Sequence, residues 1–276
     1  MQIEHRPGTW LDGVTGSTVS HQALMAQMAR KRVVLLGETH DRYDIHRWQL
    51  HVIAALHALR KKVVVGFEMF PQRVQPALDR WTEGSLDTED FLSQSEWKTV
   101  WGFPAELYLP IFHYCRQFRV PMKALNCRRA LVTEVGKLGW DAIPVSDRDG
   151  LTPALTASAA YRQYLFDITG GARSDRTAKE AQDPEFDRFV RGQQTWDRAF
   201  ACNIAHALEE TPDALVVGVI GRGHLEYGHG TPWQLGDLGV DDVAVLLPED
   251  EPSFDLGHRR GVANAVFRLD TKIDST

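Results

Sequence analysis

Apolar residues along this chain fall into two alternating patterns. Short runs rich in β-branched residues, at 33–36, 63–67 and 216–220, each contain or meet a glycine. Runs of that length with no polar alternation predict strands buried on both faces. Between the first two, Trp48, Val52, Ala55, Leu56 and Leu59 recur at helical spacing. Strand 33–36, helix 46–59 and strand 63–67 therefore read as a βαβ unit, with parallel strands and a right-handed crossover.

The same reasoning extends along the chain. Residues 1–20 read as an irregular arm, and 21–30 as a helix with Leu24 and Met28 four apart. A helix is predicted over 72–81, where Pro71 and Pro76 bracket its start, and another begins near the candidate N-cap Asp87. Trp97, Trp101 and Phe103 form an aromatic cluster before a helix at 106–119 and a strand at 122–125 that leads to Asn126. Alanine, serine and threonine then dominate, with helical stretches at 153–168 and 184–210. The sheet resumes at 215–220, 243–247 and 264–269, the last two joined by an acidic loop over 248–260. Residues 270–276 are expected to be a mobile tail.

This order predicts an α/β fold: a three-layer αβα core with a mostly parallel sheet and a helical insertion subdomain. The core is expected from 1–143 and 196–276, and the insertion from 144–195, with 71–119 contributing helices.

Composition narrows the function classes. With 276 residues, 43% of them hydrophobic, the chain can bury one large core. A net charge of −6 argues against nucleic acid as a partner. No stretch approaches 18 uninterrupted apolar residues, so no membrane span is expected. The first thirty residues hold neither a continuous apolar segment nor a cysteine for lipidation. Cys115, Cys127 and Cys202 have no CxxC spacing. A reducing compartment, the cytoplasm, is the default expectation.

Candidate chemistry lies where the strands stop. Ligands of open α/β sheets bind at the carboxyl rim. The first strand delivers Glu38 and His40, the second Glu68, and the third Gly221-Arg222-Gly223-His224. Imidazole and carboxylate together suit a divalent metal such as zinc or manganese, held by His40, Glu68 and His224. They equally suit acid–base chemistry, with Glu38, His40, His46, Glu68 and His224 as candidate catalytic groups. The plainer alternative is that the glutamates cap helices and the histidines satisfy loop carbonyls. His46 and Gln49, three apart, share a helix face. Arg129 follows the strand at 122–125 and could bind a carboxylate, either of a ligand or of an internal glutamate. Tyr227 and His229 share a glycine-rich loop with His224. Tyr161 and Tyr164 are three apart in the insertion, and tyrosinate can be an axial ligand of ferric haem.

Taken in order, GETHD at 37–41, His46 with Gln49, FEMF at 67–70 with Gln75, Tyr108 with Pro110, Ala124-Leu125-Asn126 with Arg129, and GRGH at 221–224 followed by Gly230-Thr231-Pro232 resemble the ChaN-like haem-binding family of the Tiki superfamily. The segment Gln194–Asp197 through Ala201–Ile204 looks like the family's stretch before the last core strands. The resemblance implies haem as cofactor, lying between the core and the insertion or between two subunits of a homodimer. Tyr161, Tyr164, Tyr227, His229 and Arg129 are then the candidate haem-binding residues. The wider superfamily contains metal-dependent peptidases and erythromycin-esterase-like hydrolases, in which paired Gly-x-x-His motifs and a glutamate form the active site. Those map to His40, Glu68 and His224. Two readings thus stand open: a haem-binding protein, or a metal-dependent hydrolase with Glu38 or His46 as general base. Members of the family are often exported lipoproteins, and the start of this sequence carries no such signal.

Overall fold

A computed structural model describes residues 1–172 and 174–270. Its strands are β1 (Gln2–Glu4), β2 (Trp10–Asp12), β3 (Thr18–Val19), β4 (Val33–Glu38), β5 (Val63–Pro71), β6 (Met122–Asn126), β7 (Leu215–Gly221), β8 (Val243–Glu249), β9 (Ser253–Asp255) and β10 (Ala265–Arg268). Among the described residues, eight of them form one sheet in the order β3-β2-β10-β8-β4-β7-β5-β6. From β10 to β6 neighbouring strands are parallel, while β2 and β3 add an antiparallel edge.

The helices are α1 (His21–Met28), α2 (Tyr43–Leu59), α3 (Gln75–Thr82), α4 (Thr88–Gln94), α5 (Trp97–Val100), α6 (Leu109–Phe118), α7 (Arg129–Leu138), α8 (Ala159–Ile168), α9 (Asp187–Glu210), α10 (Thr231–Asp237) and α11 (Leu256–Arg259). Successive strand residues point to opposite faces, and both faces here are covered. Val34, Leu36, Val65 and Phe67 pack with Val52 and Leu56 of α2 and Phe112 of α6. Val33, Leu35, Val64 and Val216 pack with Phe200, Ile204 and Leu208 of α9. Burial on both sides explains the unalternating apolar runs, and each large side chain contributes about 1.5–3 kcal/mol by leaving water. This is the three-layer αβα architecture that the strand and helix order predicts.

Helix α9 has 24 residues, so it spans about 36 Å. Its first part packs Val190 against Leu165 and Phe166 of α8, and its last part lies on the sheet. The expected boundary at residue 195 therefore falls inside a continuous helix.

Several elements differ from expectation. The arm over 1–20 holds three short strands, of which β2 pairs with β10 and β1 with β9. Strand β5 runs on to Pro71. The helix predicted from 153 begins at Ala159, where the Ser158 side chain accepts the Tyr161 N–H. Before it, the Leu155 N–H is taken by Gln234 Oε1 at 2.9 Å, so that backbone is held by a side chain rather than by a helix. Helices α7 and α10 add to the elements expected from spacing, and the loop at 248–260 contains β9 and α11. From residue 271, the expected tail lies outside the described residues. Among the described residues no helix is long and apolar enough to cross a membrane.

Candidate functional site

Parallel register brings the three strand ends together. Glu38 of β4 pairs with Gly221 of β7, and Phe67 of β5 pairs with Val219. The β5–β6 register shifts between Phe67 and Pro71, an irregularity of the kind that re-aims a side chain. There Asn126 Nδ2 donates to the Glu68 carbonyl at 2.8 Å. Glu68 Oε2 in turn accepts the Gly221 N–H. A Cβ at Gly221 would lie 3.0 Å from His40 Cε1 and 3.3 Å from Glu68 Oε2, so the glycine is what lets imidazole and carboxylate close over this backbone.

Glu38 is buried at the base of the first histidine. Its Oε1 is 2.6 Å from His40 Nδ1 and accepts the Tyr108 hydroxyl at 3.0 Å. Trp101 Nε1 donates to the same hydroxyl at 3.1 Å. His40 Nε2 lies 4.0 Å from Glu68 Oε1. His46 stands behind this pair. Its ring nitrogens are 3.0 Å from Gln49 Oε1 and 3.1 Å from the His40 carbonyl, and Nδ1 is 3.4 Å from Glu38 Oε2. Gln49 Nε2 donates to the Leu36 carbonyl at 3.2 Å, which fixes its oxygen toward His46. His46 is fully buried. It braces Glu38 and the turn after β4, and does not line the cleft.

A second imidazole–carboxylate pair faces the same space. His224 Nδ1 is 2.8 Å from Oδ1 of Asp197, a buried residue of α9. The two pairs flank Glu68 at the bottom of a cleft of about 750 Å³, within the range of small-molecule sites. Trp101, Phe103 and Trp196 line it, with Arg73, Arg128 and Arg129. The His40 ring lies edge-on to Trp101 at 4.7 Å and 5.4 Å from Phe103. Arg73 pairs with Glu96 and Arg128 with Asp149, each at 2.6 Å. Arg129, exposed at the start of α7, makes no hydrogen bond or ion pair with its side chain among the described residues.

The electrostatics bind protons tightly. Burial opposes the charge on His40, but the Glu38 hydrogen bond and the Glu68 and Glu38 charges outweigh it and raise its pKa. Burial likewise opposes His224, and the charge and hydrogen bond of Asp197 overcome it, again upward. Burial raises Glu68 against the lowering pull of His224 and His40.

Other sequence candidates sit elsewhere. The Tyr161 hydroxyl donates to Asp197 Oδ2 at 2.6 Å, and that of Tyr164 to Glu226 Oε2 at 3.1 Å. The Tyr227 hydroxyl faces the His258 carbonyl at 3.4 Å. His229 lies 5.8–6.0 Å from the three tyrosine rings. None of these four residues lines the cleft. A zinc or manganese centre on His40, Glu68 and His224 finds no support. Among the described residues, no group of three or more His, Cys, Asp or Glu side chains is arranged to hold a metal ion. One Glu68 oxygen is turned to Gly221 and the other is 4.0 Å from His40.

Asp197 and Tyr108 belong to the site without standing among the sequence candidates. The signal for Asp197 was present: it shares a helical stripe with Ala201, Ile204 and Leu208, all buried, and a buried carboxylate on an apolar stripe needs donors.

Among curated protein sequences none matches this chain. The fold is similar to the solved structure of ChaN of Campylobacter jejuni, described as showing cofacial heme binding, at 20% identity and a TM-score of 0.70, covering 94% of this chain and 95% of that one. It is also similar to an erythromycin esterase mutant, EreC in its open conformation, at 10% identity and a TM-score of 0.50, covering 87% of this chain and 76% of that one. The sequence profile described as "Haem-binding uptake, Tiki superfamily, ChaN" matches residues 24–235. The chain belongs to this ChaN-like haem-binding family of the Tiki superfamily.

Proposed function

We propose that this chain binds haem in the cleft above Glu68, as part of haem or iron handling, with His40 toward the iron. The observation that carries this reading is the state of His40. Its Nδ1 is engaged by Glu38 at 2.6 Å, which leaves Nε2, 4.0 Å from Glu68 Oε1, as the nitrogen available on a residue that lines the cleft. A histidine that ligates a metal characteristically gives its other ring N–H to a carboxylate, which fixes the tautomer and raises its basicity. Trp101, Phe103 and Trp196 offer flat apolar surface for the macrocycle. Arg129, whose side chain has no partner among the described residues, suits a propionate. When bound, haem would supply iron-centred ligand or redox chemistry. The protein's part would be to hold the ring system against Trp101, Phe103 and Trp196 and to present His40 to the iron.

The test is haem titration of the purified chain. A defined Soret band with saturable stoichiometry is expected. His40→Ala should shift the band and weaken binding, whereas Tyr164→Phe and Tyr227→Phe should leave it in place. Uptake no better than to an albumin-like carrier removes the reading. A spectrum unchanged in His40→Ala removes the assigned ligand.

A further inference from the structure

His224 has a support that reaches outside the sheet. Asp197, which holds its Nδ1, has no Lys or Arg partner among the described residues; its hydrogen-bond donors there are His224, Tyr161 and, at 3.4 Å, the Thr231 hydroxyl. A buried carboxylate without a cation depends on every such donor. The Tyr161 contact at 2.6 Å has the length of a charge-assisted bond. Gly230 is shaped to the same carboxylate, since a Cβ there would lie 2.6 Å from Asp197 Oδ1. Around the His224 ring, Phe200 and Trp196 stand edge-on at 5.3 and 6.2 Å and set its plane. With Nδ1 engaged, Nε2 is the nitrogen left for the cleft, and no hydrogen bond from it is made within the described residues. Tyr161 stands on α8, whose Leu165 and Phe166 pack on Phe186 and Val190.

We propose that Asp197 and Tyr161 are positioning residues for His224, fixing which nitrogen its ring shows to the cleft ligand, and that they make the seating of α8 a condition for a complete cleft. The ligand part of this inference rests on the haem reading above. The positioning part stands without it. Tyr161 is then a structural partner of the site through Asp197, rather than an iron ligand.

The experiment is histidine-selective 15N NMR of the haem-free chain at alkaline pH, where the ring is neutral. In the wild type, His224 is expected to carry its proton on Nδ1. Asp197→Asn should move the proton to Nε2, because the carboxamide can donate where the carboxylate only accepts. Tyr161→Phe should keep the tautomer but displace the His224 Nδ1 proton signal and leave His40 unmoved. Tyr164→Phe, which removes the neighbouring hydroxyl bonded to Glu226, is the control and should change neither. In haem titrations, Asp197→Asn is expected to weaken binding about tenfold or more, and Tyr161→Phe by a smaller factor. Identical His224 signals in Tyr161→Phe and wild type, or an equal displacement by Tyr164→Phe, overturn the proposal. If the wild type binds no haem, the cleft reading fails while the tautomer result still decides the positioning claim.

Discussion

Alanine at Gly221 places a methyl group between the two halves of the site. The backbone there has φ −53° and ψ 132°, so the conformation itself suits any residue and the cost is one of space. The new carbon would start 3.0 Å from His40 Cε1 and 3.3 Å from Glu68 Oε2. Carbon atoms prefer separations of about 3.5–4.0 Å, so His40 must retreat by about 0.5 Å or more. Its Nδ1 is tethered to Glu38 at 2.6 Å, and its ring is bounded by Trp101 at 4.7 Å. Overpacking of this kind costs about 1–3 kcal/mol, which for a domain of this size lowers the melting temperature by a few degrees. Because a functional group must be held to about 0.5 Å, haem affinity should fall about tenfold or more. Gly223→Ala in the same motif is the control: among the described residues its Cβ would meet within 4 Å only Ile168 Cδ1, at an ordinary 3.5 Å. Thermal unfolding and haem titration of both variants decide the matter. Equal behaviour of the two, or wild-type behaviour of Gly221→Ala, refutes the claim that His40 and Glu68 close on this glycine.

Two further outcomes follow from the site's charges. His40 and His224 have native pKa values above the usual 6.5, and Glu68 above 4.5. Protonated forms are therefore favoured by folding, and the stability these groups contribute is complete below those ordinary values and lost as pH rises through the elevated native ones. Urea midpoints of the haem-free chain should fall from about pH 6 to about pH 9, and a flat or rising profile would count against this electrostatic picture. Arg129→Ala should leave the melting temperature unchanged, since the side chain is exposed and unpaired, yet weaken haem binding about fivefold for an exposed charge pair worth about 1 kcal/mol. No change in affinity would show that a propionate does not reach it.

The rim was legible because its strands are buried on both sides. An uninterrupted apolar run that contains or meets a glycine has few other meanings, so Glu38, His40 and His224 could be placed at strand ends from spacing alone, while Glu68, expected at one, lies inside β5, which runs on to Pro71. Their meeting depends on register, and Glu38 opposite Gly221 is a tertiary fact with no local trace. The tyrosines show the same limit. Tyr161 and Tyr164 do share a helix face, with rings 6.4 Å apart, but the acceptors that hold their hydroxyls come from α9 and from the loop after β7. Strands β1 to β3 span only two or three residues each, too few for any periodicity to register. Gly221 and Gly223 look alike in sequence, and only the packing around them tells which one is crowded.

The antiparallel edge of the sheet has a bearing on how the chain comes to be folded at the ribosome. Trp10 and Leu11 are fully buried, and their strand partners are Phe267 and Val266. Trp10 also rests its ring on Phe267 at 4.9 Å. At roughly 5–20 residues per second, translation separates these partners by a time on the order of ten seconds to a minute. Throughout that interval the nascent β2 segment lacks the strand that pairs with it, and β8, once made, keeps an open flank until β10 follows. A trigger-type holding chaperone has its natural client in that window, and a polypeptide stalled short of Ala265 would leave the same two apolar residues uncovered for quality-control proteases to find.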